Sequence, residues 1–138
     1  KSQLQASTTH LKGNGTVLLV EDEEPLSLIA KTMLETLGFT VIEAADGRIA
    51  LNLYLKNAAY IKLVVTDMGM PVMDGYELFR ELKKLDPKLP IVISSGFGDT
   101  NVTSRIKHEE FAGLIRKPYN FEQFREVLKG VLENVCLS

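Results

Sequence analysis

Two acidic segments follow apolar runs at separate points of the chain. Glu21-Asp22-Glu23 comes directly after the run Thr16–Val20, and Asp67 comes directly after the run 61–66. Carboxylates that converge repel one another, by roughly 4 kcal/mol for two charges about 4 Å apart at an effective dielectric of about 20. A hard divalent cation offsets this repulsion, and Mg²⁺ favours one or two carboxylates together with waters and phosphate oxygens. If the two segments meet in space, they therefore indicate a magnesium site.

A hydroxyl group and a positive charge follow two later apolar runs. Ser94-Ser95-Gly96 comes after residues 91–93, and Arg116-Lys117-Pro118 comes after residues 114–115. Acidic groups, a hydroxyl and a lysine around one point are typical of phosphoryl-transfer sites. A carboxylate can itself accept the phosphoryl group, as it does in enzymes that form an aspartyl phosphate.

The apolar runs that precede these residues are predicted to be strands, and helical patterns alternate with them. Unbroken β-branched and apolar runs are typical of strands buried on both faces, and they cover residues 16–20, 39–44, 61–66, 91–93 and 114–115. Helices are predicted from about residue 26 to Gly38, over 47–57, over 78–85, more weakly over 100–107, and from the N-cap Asn120 onwards. The apolar stripes of the first three helices include Ile29, Ile49 and Leu85.

Five strand–helix units in one chain predict an α/β fold. Apolar strands that alternate with helices form a parallel sheet covered on both faces. A closed barrel typically needs eight units and about 250 residues, so five units favour an open, doubly wound sheet. The common five-stranded order is 2-1-3-4-5, in a flavodoxin-like three-layer sandwich. Such sheets bind ligands beyond the carboxyl ends of strands 1 and 3, which brings Glu21, Asp22 and Asp67 together.

Length and composition restrict the remaining possibilities. The chain has 138 residues, enough for one domain, and its net charge of −2 argues against a protein that binds nucleic acid over its whole surface. No apolar run approaches the roughly 18 residues of a membrane helix, and the single Cys136 fits a reducing, cytoplasmic compartment. Residues 1–15 are predicted to be a linker or disordered tail, and residues 16–138 a single domain. Because the chain starts with Lys1, we expect it to be a fragment of a longer protein.

From about Thr16 to Leu137 the sequence resembles the receiver domain of bacterial two-component response regulators. The matching segments are VLLVEDEE, LVVTDMGMPVMDG, PIVISSG and IRKPY. Each segment is weak evidence by itself. Their order, and their position at the ends of the predicted strands, make the resemblance specific.

The resemblance implies a role for each candidate site residue. Asp67 would be the phosphoacceptor, and Asp22 a direct Mg²⁺ ligand. Glu21 would assist the metal through a water molecule, and the backbone carbonyl of Gly69 would be another ligand. The remaining polar residues, Ser95 and Lys117, would contact the phosphoryl group.

The resemblance also implies partners and a switch. A histidine kinase or a histidine phosphotransfer domain would donate the phosphoryl group, and the surface of the helix predicted over 100–107, the last strand and the last helix would change in response. Leu114 lies where the family often has an aromatic residue, and Phe97 could shield the phosphoryl group. No nucleic acid or direct membrane contact is expected, and a homodimer is left open.

Several alternatives stay open at this point. The opening GNGTVLLVEDEEPL and the segment SSGFGD resemble receivers in hybrid sensor histidine kinases, and a stand-alone regulator is the alternative. Such a domain catalyses only its own phosphorylation and dephosphorylation. An aspartyl-phosphate hydrolase would need a further general acid, where the chain has Gly69. A receiver that binds partners without phosphate would not need the intact acidic and basic residues.

Overall fold

Five parallel strands form the centre of the molecule. The computed structural model describes residues 15–70, 72–96 and 111–137. Within them the sheet has the order β2-β1-β3-β4-β5, and its strands are β1 (Thr16–Val20), β2 (Thr40–Ala44), β3 (Ile61–Asp67), β4 (Ile91–Ser95) and β5 (Gly113–Arg116). Each neighbouring pair is parallel. The predicted α/β class, doubly wound sheet and strand order are confirmed.

Four helices cover the sheet in the part of the chain that the structure describes. They are α1 (Glu24–Thr36), α2 (Gly47–Asn57), α3 (Gly75–Leu85) and α4 (Phe121–Leu137). Polar side chains define three of their starts: Asp46 accepts from the Ile49 amide, Asp74 forms a capping box with Glu77, and Asn120 accepts from the Gln123 amide at 2.8 Å. The left-handed Gly38 follows α1, as the sequence indicates.

Alternate strand residues face two separate cores, which makes the three-layer sandwich. Leu18 and Val20 of β1 belong to a core that includes side chains of α2 and α3. Val17 and Leu19 belong to a second core that includes side chains of α1 and α4. This arrangement follows from the two-residue period of a strand, and it explains why the central strands are mainly apolar on both faces.

Three residues of the predicted apolar stripes are exposed instead. Ile29 is 48% exposed, Ile49 is 43% exposed and Leu85 is 51% exposed, so these three residues lie outside the core although they share the apolar stripes. Each stripe is wider than the arc of helix that the sheet covers, and Leu85 also ends its helix. In α2 the buried side chains are those of Ala50, which belongs to the predicted stripe, and Tyr54, which is 4% exposed.

Three predictions concern residues outside the described ones. They are the tail 1–15 apart from Gly15, the helix over 100–107, and the shielding role of Phe97. Among the residues that the structure does describe, no helix combines the length and the apolar character needed to span a membrane.

Candidate phosphoryl-transfer site

The candidate site residues lie at the carboxyl edge of the sheet. In the strand register Val20 is paired with Thr66, Asp67 with Ser94, and Ser95 with Arg116. The residues that follow β1 and β5 therefore reach the same edge as Asp67 and Ser95. This is the convergence that the strand order predicts.

Asp67 is held rigidly at the end of β3. Its side chain is buried, and Oδ1 accepts a hydrogen bond from the Met68 amide at 2.9 Å. The Gly75 amide donates to the Met68 carbonyl at 2.9 Å, which closes the following loop over the strand end. A Cβ atom on Gly75 would press against the Asp67 carbonyl, so only glycine allows this approach.

Lys117 lies between two carboxylates. Its Nζ is 2.9 Å from Glu21 Oε1 and 3.1 Å from Asp67 Oδ1. The other Glu21 oxygen, Oε2, accepts from the Glu23 amide at 3.2 Å. One ammonium group thus joins the acid after β1 to the acid that ends β3. The peptide bond between Lys117 and Pro118 is cis.

Burial sets the protonation of the central acid. Removal from water and, next, the nearby charge of Glu21 raise the pKa of Asp67 to about 6, against the opposing effect of Lys117. For Lys117, burial lowers the pKa, but the hydrogen bond to Glu21 and the charge of Asp67 more than offset it, so its pKa is raised. The lysine is therefore charged at neutral pH. Its single positive charge offsets only part of the negative charge of Glu21 and Asp67.

Three carboxylates could hold a metal ion at this edge. Glu21, Asp22 and Asp67 each offer an oxygen, and these oxygens lie within 4.8 Å of one another. All donors are hard oxygen atoms, and Asp22 is the exposed member of the cluster. This donor set suits Mg²⁺, a hard cation that retains several waters. Gly69 is exposed in the loop after β3, and its role as a carbonyl ligand stays a prediction.

Ser95 carries a buried hydroxyl group without a hydrogen-bond partner. Its Oγ is the only such side-chain atom among the described residues. A buried polar group of this kind costs free energy unless it is paired, and exceptions need an explanation. The Lys117 amide donates to the Ser95 carbonyl at 2.8 Å, so both residues stand side by side at the sheet edge. The hydroxyl is suited to donate a hydrogen bond to an anionic group that is present at the site only part of the time.

Sequence reasoning missed two features next to this site. One is the direct ion pair between Glu21 and Lys117, which no local pattern reveals because 96 positions separate the residues. The other is an apolar groove of about 410 Å³ lined by Leu26, Ile29, Lys117, Pro118 and Tyr119. No local sequence pattern indicates the groove, because the helical period of α1 places Ile29 with the core-facing residues.

Comparison with known proteins gives a consistent result. The family model described as the response regulator receiver domain matches residues 17–129. The chain is 34% identical to the sensor kinase CckA of Brucella abortus over 133 residues, which is 96% of this chain but only 14% of that protein. It is 25% identical to the sporulation initiation phosphotransferase F of Bacillus subtilis, over 86% of this chain and 94% of that protein.

A solved structure agrees with these sequence matches. The response regulator receiver domain protein from Clostridium thermocellum superimposes with a TM-score of 0.83 at 27% identity, covering 90% of this chain and 98% of the other. In this chain, the acidic residues, the Ser95 hydroxyl and the Lys117 ammonium group lie together at the carboxyl edge of that fold. The chain belongs to the response regulator receiver domain family of two-component signalling proteins.

Proposed function

We propose that Asp67 accepts a phosphoryl group from a phosphohistidine. The observation that carries this proposal is the buried Asp67 carboxylate, 3.1 Å from the Lys117 ammonium group and within a carboxylate cluster. A carboxylate oxygen of Asp67 attacks phosphorus, and the new P–O bond replaces the P–N bond. The donor imidazole leaves with the electron pair of that bond and takes up a proton.

Asp22, Asp67 and the Gly69 carbonyl would hold Mg²⁺, and Glu21 would assist through a water molecule. The oxygen-only donor set and the unbalanced negative charge of the cluster support this assignment. Bound Mg²⁺ would supply positive charge against the repulsion between the phosphoryl oxygens and the carboxylates. The chain itself supplies a fixed nucleophile, held by the Met68 amide.

Lys117 and Ser95 would bind the transferred group. The ammonium group already lies beside Asp67, so it can pair with a phosphoryl oxygen after a small movement. The unpartnered Ser95 hydroxyl can donate to another oxygen, which would satisfy it. A new dianion at Asp67 would then favour a conformation in which both groups point towards it.

The phosphodonor would be a histidine kinase or a phosphotransfer protein. Receiver domains as a family interact with these proteins. In this chain, the groove beside Lys117 opens between α1 and the residues after β5, and its apolar lining suits a helical partner surface. A histidine delivered along the groove would arrive at the acidic site.

We further propose that the chain is the receiver part of a hybrid sensor histidine kinase on the cytoplasmic side of the cell, with residues 1–15 as the linker. The similarity to the sensor kinase CckA over nearly the whole chain supports this. A stand-alone regulator is the alternative, and the similarity to phosphotransferase F supports it. The length of the parent gene tests these two possibilities.

Phosphate incorporation tests the proposed function. The purified protein is incubated with a small phosphoramidate and Mg²⁺, and intact-mass measurement should show one added phosphoryl group that excess chelator prevents. Asp67→Asn should abolish it. Asp46→Asn is a matched control, because asparagine also caps a helix and Asp46 lies outside the site. Incorporation that is unchanged in Asp67→Asn would contradict the proposal, and repeated turnover of phosphate esters would indicate a hydrolase instead.

A further inference from the structure

The Glu21 carboxylate is occupied on both oxygens before any phosphodonor arrives. Oε1 is 2.9 Å from Lys117 Nζ, and Oε2 accepts from the Glu23 amide at 3.2 Å. The side chain is buried, while neighbouring Asp22 is exposed. Two contacts on a buried side chain define its orientation closely. The length of the Glu21 side chain therefore sets how far its carboxylate extends towards Lys117.

Lys117 has a flexible side chain, and its contact with the Glu21 carboxylate determines where its ammonium group lies. A free lysine side chain samples many rotamers, and confining it costs up to about 2 kcal/mol. Here Glu21 and Asp67 hold Nζ at nearly equal distances of 2.9 and 3.1 Å. The ammonium group is thereby confined beside the acceptor oxygen, where a phosphoryl oxygen would be placed.

We propose that Glu21 is a positioning residue for Lys117, acting through the length of its side chain as well as its charge. This inference rests on the proposed function and adds a second role for Glu21 beside that of assisting the metal. An aspartate held by the same Glu23 amide would carry the same charge but would end one methylene short of Nζ. The glutamate therefore confines the lysine in a way that an aspartate at this position does not.

Two variants separate the effect of the Glu21 side-chain length from the effect of its charge. Glu21→Asp retains the charge and shortens the side chain, whereas Glu21→Gln retains the length and removes the charge. The first readout is the NMR signal of the Lys117 ammonium group in metal-free protein, which is visible only when the group is protected from exchange with water. We expect the signal in the wild type, a weaker signal in Glu21→Gln, and none in Glu21→Asp.

The second readout is the phosphorylation rate at saturating Mg²⁺ and phosphoramidate. We expect Glu21→Asp to lower this rate by up to about tenfold, which corresponds to the loss of about 1.4 kcal/mol of side-chain ordering. Its Mg²⁺ dissociation constant should change less than about twofold, because an aspartate offers the same kind of oxygen ligand. Glu21→Gln should lower the saturated rate less than Glu21→Asp does.

Glu43→Asp is the matched control. Glu43 is also held by a hydroxyl and a lysine, with Ser27 Oγ at 2.8 Å and Lys31 Nζ at 3.4 Å, but it lies on the edge strand β2 outside the site. The Glu43→Asp variant should leave both the Lys117 ammonium signal and the phosphorylation rate unchanged. A Glu21→Asp variant with the wild-type ammonium signal would overturn the proposal, and so would a larger loss in Glu21→Gln. The ammonium readout needs no phosphoryl transfer, so its failure is distinct from a failure of the proposed function.

Discussion

The Nζ atom of Lys117 lies 3.1 Å from Oδ1 of Asp67, although Asp67 ends β3, Lys117 follows β5, and β4 lies between those two strands. The contact exists because parallel strands end at one edge and the residue after β5 reaches across it. It brings a permanent positive charge to a buried acid. The site nevertheless carries three carboxylates, of Glu21, Asp22 and Asp67, around this one ammonium group. Burial and, next, the charge of Glu21 raise the pKa of Asp67 to about 6.

The first prediction concerns stability and pH in metal-free protein. The folded-state pKa of Asp67 of about 6 exceeds the ordinary value of 3.8, so ionised Asp67 destabilises the fold at neutral pH. Asp67→Asn should therefore raise the free energy of unfolding at about pH 7.5, by up to about 3 kcal/mol. The difference should shrink as pH falls through about 6, because the folded wild type then takes up a proton first. Urea unfolding of both proteins in chelator at several pH values measures it, and a gap independent of pH would contradict the assignment.

The second prediction concerns the metal. A ligand that binds only the folded state adds about 2.7 kcal/mol of stability at a concentration of about 100 times its dissociation constant. Mg²⁺ should therefore raise the melting temperature of the wild type in a saturable way. Asp22→Asn should remove most of this shift with little effect on the metal-free fold, because Asp22 is exposed. Glu35→Gln, an exposed charge change at the far end of α1, should retain the whole shift.

The third prediction concerns the Ser95 hydroxyl. Ser95→Ala removes a buried oxygen that has no partner, so the unphosphorylated protein should be as stable as the wild type or more stable, by up to about 1 kcal/mol. The stabilisation gained on phosphorylation should fall by about 1.5–3 kcal/mol, the usual contribution of a hydrogen bond to a charged group. Thermal melts with and without phosphoramidate measure both effects. Ser94→Ala, one residue earlier on the strand, should leave the phosphorylation gain intact.

The fourth prediction compares two glycines. A Cβ on Gly75 would lie 2.9 Å from Met68 Cα and closer still to the Asp67 carbonyl, so Gly75→Ala should cost about 1–3 kcal/mol of stability and displace the acceptor. Gly130 lies within α4, and apart from its chain neighbours and the backbone of its own helix a Cβ there meets no atom within 4 Å. Gly130→Ala should therefore stabilise the protein by about 1 kcal/mol. Denaturant titration measures both, and equal effects would contradict the close approach at Gly75.

Much of the fold could be predicted because each strand contains a short run of apolar residues and several helices begin at a polar cap. Asp46 and Asn120 are clear local signals of this kind, and the structure shows both as N-caps. Burial was harder to predict. Ile29 and Ile49 satisfy a helical period, yet the sheet covers too narrow an arc to bury them.

The candidate site was predictable in membership but not in its internal contacts. Strand order alone brings Asp22 and Asp67 together, because the carboxyl ends of neighbouring parallel strands meet. The ion pair of Glu21 with Lys117 and the lack of a hydrogen-bond partner for the Ser95 hydroxyl are set by side-chain rotamers and by distances below 4 Å. A linear sequence carries no direct signal for such contacts.

The hydrogen bond from the Lys117 amide to the Ser95 carbonyl, at 2.8 Å, has a mechanical consequence. It belongs to the last residue pair of the β4–β5 ladder, Ser95 with Arg116, so the backbones that carry the Ser95 hydroxyl and the Lys117 ammonium group are hydrogen-bonded to each other. A backbone shift at either residue therefore changes this hydrogen bond unless the other residue shifts with it. Movements of Ser95 and Lys117 that involve their backbones are therefore coupled through the main chain of β4 and β5.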